Sequence, residues 1–143
     1  MQKKHWIFAI AAALIICLSG CAVKTEGENA KIKNLEFTII GEDKLPEELK
    51  QIVEEKKENE FKITYQDGDF LYICVGYGRQ ESGGYSITVN NVYLTGNSVY
   101  VDTNLIGPDA QNRELYHAQE GKSLSYPYIV IKMEYLDKSI VFD

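Results

Sequence analysis

The chain has 143 residues, with 15 basic and 21 acidic side chains, and its net charge at pH 7 is −6. This acidic balance argues against nucleic acid as a partner and against electrostatic docking on anionic lipid, since both depend on clustered basic residues. The length allows one small domain with a single hydrophobic core.

The first 21 residues have the pattern of a secretory signal that ends in a lipidation site. Lys3 and Lys4 precede an uncharged run over residues 6–18, which is too short for a transmembrane helix, and Leu-Ser-Gly then leads to Cys21. This ending resembles the bacterial lipobox, in which the cysteine thiol is joined to diacylglycerol and the chain is cut before the cysteine. We therefore predict a signal peptide over residues 1–20 and a lipidated Cys21. The alternative is an ordinary signal peptide in which Cys21 has no role.

Cleavage after residue 20 leaves 123 residues, with 13 basic and 21 acidic side chains and a net charge of −8. Residues 21–33 are predicted as the lipidated cysteine and a flexible tether, because the residues after the cysteine lack apolar periodicity. Residues 34–143 are predicted as a single β domain. The expected location is membrane-anchored and extracytoplasmic: the cell surface in an envelope with one membrane, and a periplasm-facing or outer-membrane position in one with two. Contact with the membrane is expected through the lipid anchor only.

The domain is predicted to begin with a half-buried strand, in which Leu35, Phe37 and Ile39 alternate with polar residues. One amphipathic helix follows over residues 45–59. Pro46 suits the first helical turn, and apolar residues recur on one face of the helix. That stripe consists of Leu45, Leu49, Ile52 and Val53.

After the helix, the period of the apolar residues becomes two, which is typical of strands. Asp67-Gly68 predicts a hairpin with a type I′ turn, and residues 69–76 are apolar on both faces, which indicates a central strand. A long polar connection is predicted over residues 107–125. The further strands are predicted around residues 85–89, 92–94, 99–103, 128–133 and 140–142. The fold class is therefore mainly β, an antiparallel sheet or a small β-sandwich with one N-terminal amphipathic helix.

The mature chain offers few groups for catalysis or metal binding. His117 is its only histidine, and Cys74 lies in an apolar, strand-like run where a buried and inert thiol is expected. No nucleophile elbow or phosphate-binding glycine motif is present, and zinc sites need three or four ligands. We predict no enzymatic activity, no metal and no cofactor.

A segment rich in glycine and tyrosine, over residues 75–87, stands out as a candidate binding site. Four glycines and a charged tip join two predicted strands, and tyrosine is enriched at recognition surfaces. The alternative is a glycine-rich hairpin whose tyrosines pack inward.

Two stretches together resemble the PrcB C-terminal domain. They are Gly-Tyr-Gly-Arg-Gln-Glu-Ser-Gly-Gly-Tyr-Ser-Ile over residues 76–87 and Leu-Ser-Tyr-Pro-Tyr-Ile-Val-Ile-Lys over residues 124–132. The resemblance covers about residues 70–133. The family is named after a small subunit of a surface protease complex and is common in bacterial lipoproteins and secreted proteins. It implies a non-catalytic β domain and, through its name, association with a protease.

A weaker similarity involves Gly83-Gly84-Tyr85 before a strand and Pro127 between two tyrosines in a late loop. This combination is similar to the chagasin-type inhibitors of cysteine peptidases, immunoglobulin-like sandwiches that insert loops into the protease cleft. The chain keeps the Gly-Tyr of their first loop and the proline of their late loop, while their intermediate glycine loop has no match here. The similarity implies a loop geometry that could block a protease.

We expect a membrane-anchored module that binds another extracytoplasmic protein, with a protease as the candidate partner, through the loops at residues 79–85 and 125–128. The rival hypothesis is a structural cell-envelope lipoprotein whose tyrosines belong to the core. Burial of all four loop tyrosines would favour the rival. The predicted partner-binding residues are Tyr77, Arg79, Gly83, Gly84, Tyr85, Tyr126, Pro127 and Tyr128.

Overall fold

The computed structural model describes residue 27 and residues 29–117 and 124–143. The predicted signal peptide, Cys21 and much of the tether lie outside these residues, so the lipidation site stays a prediction. No helix in the described part of the chain is long and apolar enough to cross a membrane.

Within the described residues, eight strands form two four-stranded sheets and two α-helices accompany them. In chain order the elements are β1 (Lys33–Asn34), β2 (Thr38–Ile40), α1 (Glu47–Lys56), β3 (Glu60–Asp67), β4 (Phe70–Tyr77), β5 (Ser86–Leu94), β6 (Ser98–Ile106), α2 (Ala110–His117), β7 (Tyr128–Glu134) and β8 (Ser139–Phe142). The first sheet has the order β1-β5-β6-β8 and the second the order β2-β7-β4-β3. All neighbouring strands are antiparallel except β6 and β8, which are parallel. The prediction of a small, mainly antiparallel β-sandwich with an N-terminal helix is confirmed.

Apolar side chains form one cluster between the two sheets and another between the second sheet and α1. Because successive side chains of a strand point to opposite faces, β4 contributes to both clusters, as predicted for a central strand. The cluster between the sheets consists of Leu71, Ile73, Ile131 and Met133 with Val92, Val99 and Val101. The cluster under α1 consists of Leu45, Leu49, Val53, Phe61, Tyr72, Cys74 and Val130.

Helix α1 is shorter at both ends than the predicted range of residues 45–59. Pro46 precedes the helix with ψ of 140°, which is an extended conformation, and a 3₁₀ turn over Glu42–Lys44 comes before it. At the other end, the amide of Lys57 closes the last turn on the carbonyl of Val53 at 2.9 Å. Three residues of the predicted stripe are buried, and the fourth, Ile52, is half-buried.

Helix α2 lies inside the segment that the sequence predicted to be a polar connection. Asp109 caps it: its Oδ1 accepts a hydrogen bond from the amide of Asn112 at 2.8 Å, and its carbonyl accepts one from Arg113 at 2.8 Å. A side chain that satisfies the free amides of the first turn stabilises a short helix. The missed signal was Pro-Asp followed by good helix formers.

The first predicted strand is wrong in its register and its extent. The chain pairs with β5 of the first sheet at β1 and with β7 of the second sheet at β2, and it crosses between the sheets in the interval. Lys33 therefore lies in a strand, inside the range that the sequence predicts as tether. Ile39 is 54% exposed because β2 is an edge strand, while Ile40 packs against the cluster under α1.

The predicted hairpin joins β3 and β4, but its turn differs from the predicted type. Asp67 pairs with Phe70, which leaves Gly68 and Asp69 as the two central residues. Gly68 has φ of 58°, and no non-glycine residue in the described part has positive φ. Positive φ at the first central residue alone is the pattern of a type II′ turn rather than type I′.

The sandwich has two ends that matter for function. At the loop end, β4 finishes and β5 and β7 begin, and this end holds residues 78–85 and 124–127. At the tether end, β5 finishes and β4 begins, and the amide of Ile32 donates to the carbonyl of Leu94 at 2.7 Å. The nine residues of β5 span roughly 27 Å between the two ends.

Candidate functional site at the loop end

Two loops that are far apart in the sequence form one surface at the loop end. Gln80 and Ser125 exchange backbone hydrogen bonds of 2.8 and 3.1 Å as an isolated antiparallel bridge. The Ser125 hydroxyl donates to the carbonyl of Ser82 at 2.6 Å, and the amide of Tyr77 donates to the carbonyl of Pro127 at 3.0 Å. We call residues 78–85 and 124–127 the loop surface.

The residues that directly follow helix α1 also join this surface. The amide of Arg79 donates to the carbonyl of Glu58 at 3.1 Å, and the Lys57 ammonium lies 5.5 Å from the centroid of the Tyr126 ring. Lys57 also donates to Glu54 at 2.7 Å, and this hydrogen bond raises the pKa of Lys57. A cation above an aromatic face is favourable, so the helix end supports the aromatic part of the loop surface.

Glycine is required at two positions of the first loop. Gly78 has φ of 71°, and a Cβ there would lie 3.0 Å from the backbone nitrogen of Glu60. Gly84 has φ of 83°, a backbone conformation that residues with a Cβ rarely adopt. The prediction that the Gly83-Gly84 pair contains at least one positive φ is therefore confirmed at Gly84.

Tyr77 points into the sandwich. Its hydroxyl forms a 2.6 Å hydrogen bond with the Thr103 hydroxyl of the first sheet. Its carbonyl accepts a hydrogen bond of 3.0 Å from the side-chain amide of Gln80. Tyr77 therefore holds the two sheets and the base of the loop together.

Tyr128 points to the opposite face of the second sheet. Its ring packs against the cluster under α1, and burial raises the pKa of the Tyr128 hydroxyl, with Glu42 as a further charge that opposes phenolate formation. Loss of solvent disfavours the charged form of a phenol. Tyr128 thus contributes to the core in addition to any contact with a partner.

Tyr85, Tyr126 and Arg79 form the accessible part of the loop surface. The two rings are half-buried, and Arg79 is exposed. A Cβ at Gly107 would lie 3.1 Å from Cε1 of Tyr85, so this ring covers the connection that follows β6. The Arg79 guanidinium lies 3.3 Å from the carboxylate of Glu81, an exposed ion pair that contributes little to stability and can be exchanged for a partner's carboxylate.

The structure brings all eight predicted partner-binding residues to the loop end. None of the four tyrosines is fully buried, so the condition that would favour a purely structural role is not met. Their role in binding stays a prediction. The sequence did not single out Lys57 and Glu58, which follow helix α1. It also did not single out Gln80 and Ser125, whose pairing has no local signal.

The described residues contain no group of three or more His, Cys, Asp and Glu side chains placed to hold a metal ion. Cys74 is fully buried in β4, and burial raises the pKa of its thiol to about 12. The thiolate is the nucleophilic form of cysteine, so Cys74 is inert near neutral pH, as the sequence predicted. His117 is the last residue of α2.

Comparison with known proteins identifies one family. The family model described as PrcB C-terminal matches residues 71–134, from the second residue of β4 to the last residue of β7, and so includes both parts of the loop surface. No curated protein and no solved structure matches the chain. The resemblance predicted from the two motifs is confirmed, and the similarity to the chagasin-type inhibitors stays a prediction.

Proposed function

We propose that this chain, whose residues 71–134 match the PrcB C-terminal family model, is a lipid-anchored extracytoplasmic protein that binds another protein and catalyses no reaction itself. The family takes its name from a subunit of a protease complex. The proposed partner is therefore an extracytoplasmic protease or another subunit of such a complex. Cys21 carries the lipid in this proposal, and the loop surface binds the partner.

The observation that carries the proposal is the bridge between Gln80 and Ser125. It joins the two stretches on which the family resemblance depends, and it lies inside the segment that matches the family. A third contact, from the Ser125 hydroxyl to the carbonyl of Ser82, fixes the two loops against each other. A surface that is held in shape before binding loses less conformational entropy when a partner arrives.

The chemistry of the loop surface also supports binding. Arginine and tyrosine are residue types that dominate the energetics of protein interfaces when a partner buries them. The loop surface presents three such residues, Arg79, Tyr85 and Tyr126. Each retains exposed area in the free domain. The absence of an accessible thiol at Cys74 removes one candidate nucleophile from the described residues.

The position of the tether supports the same function. The chain enters the domain at the tether end, beside Leu94, while the loop surface lies at the other end of β5. An anchor at Cys21 would then direct the loop surface away from the membrane, where a partner has free access.

The test is recovery of a partner from detergent-solubilised membranes of the bacterium that produces the protein. We expect the full-length protein to recover a specific protein, and Tyr85→Ala and Arg79→Glu to recover several-fold less of it. Tyr135→Ala is the matched control, because Tyr135 is exposed and lies at the tether end. Equal recovery by wild type and by both loop variants would contradict the proposal.

The structural hypothesis remains the second candidate, and a specific observation favours it. Tyr77 and Tyr128 both serve packing within the domain, through the hydrogen bond to Thr103 and the cluster under α1. If the loop variants recover the same proteins as wild type, the loop surface has no partner and the structural role is supported.

A further inference from the structure

An open groove of about 1150 Å³ lies at the tether end, between the edge of the second sheet and the start of the first. Its apolar lining comes from both sheets and from the segment that crosses between them. The apolar side chains include Leu35, Phe37, Phe70, Leu94, Met133 and Leu136.

The aromatic side chains of this groove are unusually accessible. Phe37 is 37% exposed and Phe70 is 45% exposed. Ile32, which directly precedes the groove residue Lys33, is exposed as well. Exposed apolar side chains that collect in one region mark a surface for a partner or a membrane.

Three lysines also line the groove: Lys33, Lys44 and Lys132. None of their ammonium groups lies within 4.0 Å of a carboxylate of the described residues. The Lys132 ammonium is held 4.2 Å from the ring centroid of Phe70. Two carboxylates, Glu36 and Glu134, line the same groove, so the local charge is slightly positive on a protein that is acidic as a whole.

The tether leads directly to this groove. Lys33, in β1, is one of its lining residues, and Cys21 lies twelve residues before it in the sequence. A fully extended chain of that length reaches at most about 40 Å. If Cys21 is lipidated, the groove residue Lys33 therefore stays within that distance of the lipid, and the chain leaves the domain at the groove.

We propose that the groove docks on the phospholipid bilayer that holds the anchor. Phe37 and Phe70 enter the interfacial layer of the membrane, and the three lysines lie at the level of the lipid phosphates. Aromatic rings and long basic side chains occupy these two depths in interfacial proteins. The inference depends on the lipid anchor of the proposed function, and it adds a protein surface to a membrane contact that the sequence assigned to the lipid alone.

The test measures the depth of two labelled positions in the membrane. The full chain is purified with its lipid and placed in vesicles of phosphatidylethanolamine and phosphatidylglycerol. Thr38→Cys lies at the groove and Ser86→Cys lies at the loop end, and both positions are exposed in strands. Because Cys74 is buried and Cys21 carries the lipid, a fluorescent label attaches to the new thiol.

Lipids with bromine on their acyl chains quench the fluorescence of a label only when the label lies within the bilayer. We expect several-fold stronger quenching at position 38 than at position 86. Equal quenching at the two positions, or none at position 38, would overturn the proposal.

A substitution in the groove tests the apolar contact itself. In the Thr38→Cys protein, Phe70→Asp should lower the quenching several-fold, and Ile106→Asp should leave it unchanged. Phe70 and Ile106 are both 45% exposed and lie at opposite ends of the sandwich. Circular dichroism shows whether each variant is folded, and unchanged quenching in folded Phe70→Asp would count against the groove.

Flotation of the vesicles reports the anchor separately. Protein that floats with the vesicles but has an unquenched label at position 38 overturns the groove proposal alone. Protein that does not float overturns the anchor in the proposed function, and the groove proposal with it. Neither result depends on recovery of a partner by the loop surface.

Discussion

The hydroxyl groups of Tyr77 and Thr103 lie 2.6 Å apart and join the two sheets directly beneath the loop surface. Tyr77 is the last residue of β4, and Thr103 lies in β6, opposite Val89. The buried residues of the neighbouring cluster between the sheets are apolar. This polar contact therefore sets the position of the first loop relative to the sheet that it leads into.

Replacement of Tyr77 by Phe should lower the free energy of unfolding by about 1 kcal/mol, because the hydroxyl of Thr103 then loses its partner. Thr103→Val should have an effect of similar size. The double variant should be less destabilised than the sum of the two, since neither half-buried hydroxyl is then left alone. Denaturant unfolding of the four proteins measures this coupling, and additive effects would show that the contact contributes no coupling energy.

Gly84→Ala should destabilise the domain by on the order of 1 kcal/mol, because its φ of 83° strains any residue with a Cβ. Gly83→Ala is the matched control, since Gly83 is not among the residues with positive φ. Midpoints of denaturant unfolding compare the two variants. If the loop surface binds the partner, Gly84→Ala should also reduce partner recovery. Equal midpoints for the two variants would mean that Gly84 allows close approach of a neighbouring group or a partner, and that its backbone conformation does not require glycine.

The free energy of unfolding should fall as the pH rises from about 9 toward 12. Burial raises the pKa of the Cys74 thiol to about 12 in the folded state, whereas a cysteine thiol exposed in the unfolded chain loses its proton near its ordinary pKa of 9.0. The unfolded state then binds fewer protons, so alkali favours unfolding, with a slope of at most about 1.4 kcal/mol per pH unit from this group. The raised pKa values of Tyr65, Tyr128 and Lys57 act in the same direction.

Cys74→Ala removes this contribution and should make the decline with pH less steep. Unfolding by denaturant at several alkaline pH values measures the slope in both proteins. A thiol reagent at pH 8 should react with wild type only after denaturation. An unchanged slope in the variant, or rapid reaction of the folded protein, would contradict the buried thiol.

Cys21→Ser should release the protein from membranes or leave its precursor uncut, because a hydroxyl cannot receive the thioether-linked lipid. Cell fractionation and incorporation of a labelled fatty acid measure the effect. Cys74→Ala is the control and should stay anchored, since its buried thiol has no role in lipidation. A Cys21→Ser protein that is processed and remains in membranes like wild type would disprove the lipidation site.

The elements whose signals are local could be predicted from the sequence. The period of two in β3, the apolar run of β4 and the stripe of Leu45, Leu49 and Val53 each reflect a geometric repeat that the backbone imposes. The positive φ at Gly84 was also predictable, because a glycine pair between two strands marks a turn. The two motifs of the loop surface were recognisable because each is a short, continuous stretch of sequence.

The sequence did not reveal which distant parts of the chain come into contact. The pairing of Gln80 with Ser125, the crossing of residues 35–37 between sheets and the exposure of Ile39 depend on strand order, which no local pattern encodes. Tyr77 and Tyr128 face opposite sides of the second sheet because each strand's register sets which side its alternate residues face. The loop surface and the groove lie at opposite ends of the sandwich because the direction of each strand, rather than residue type, determines the end at which its neighbouring loops lie.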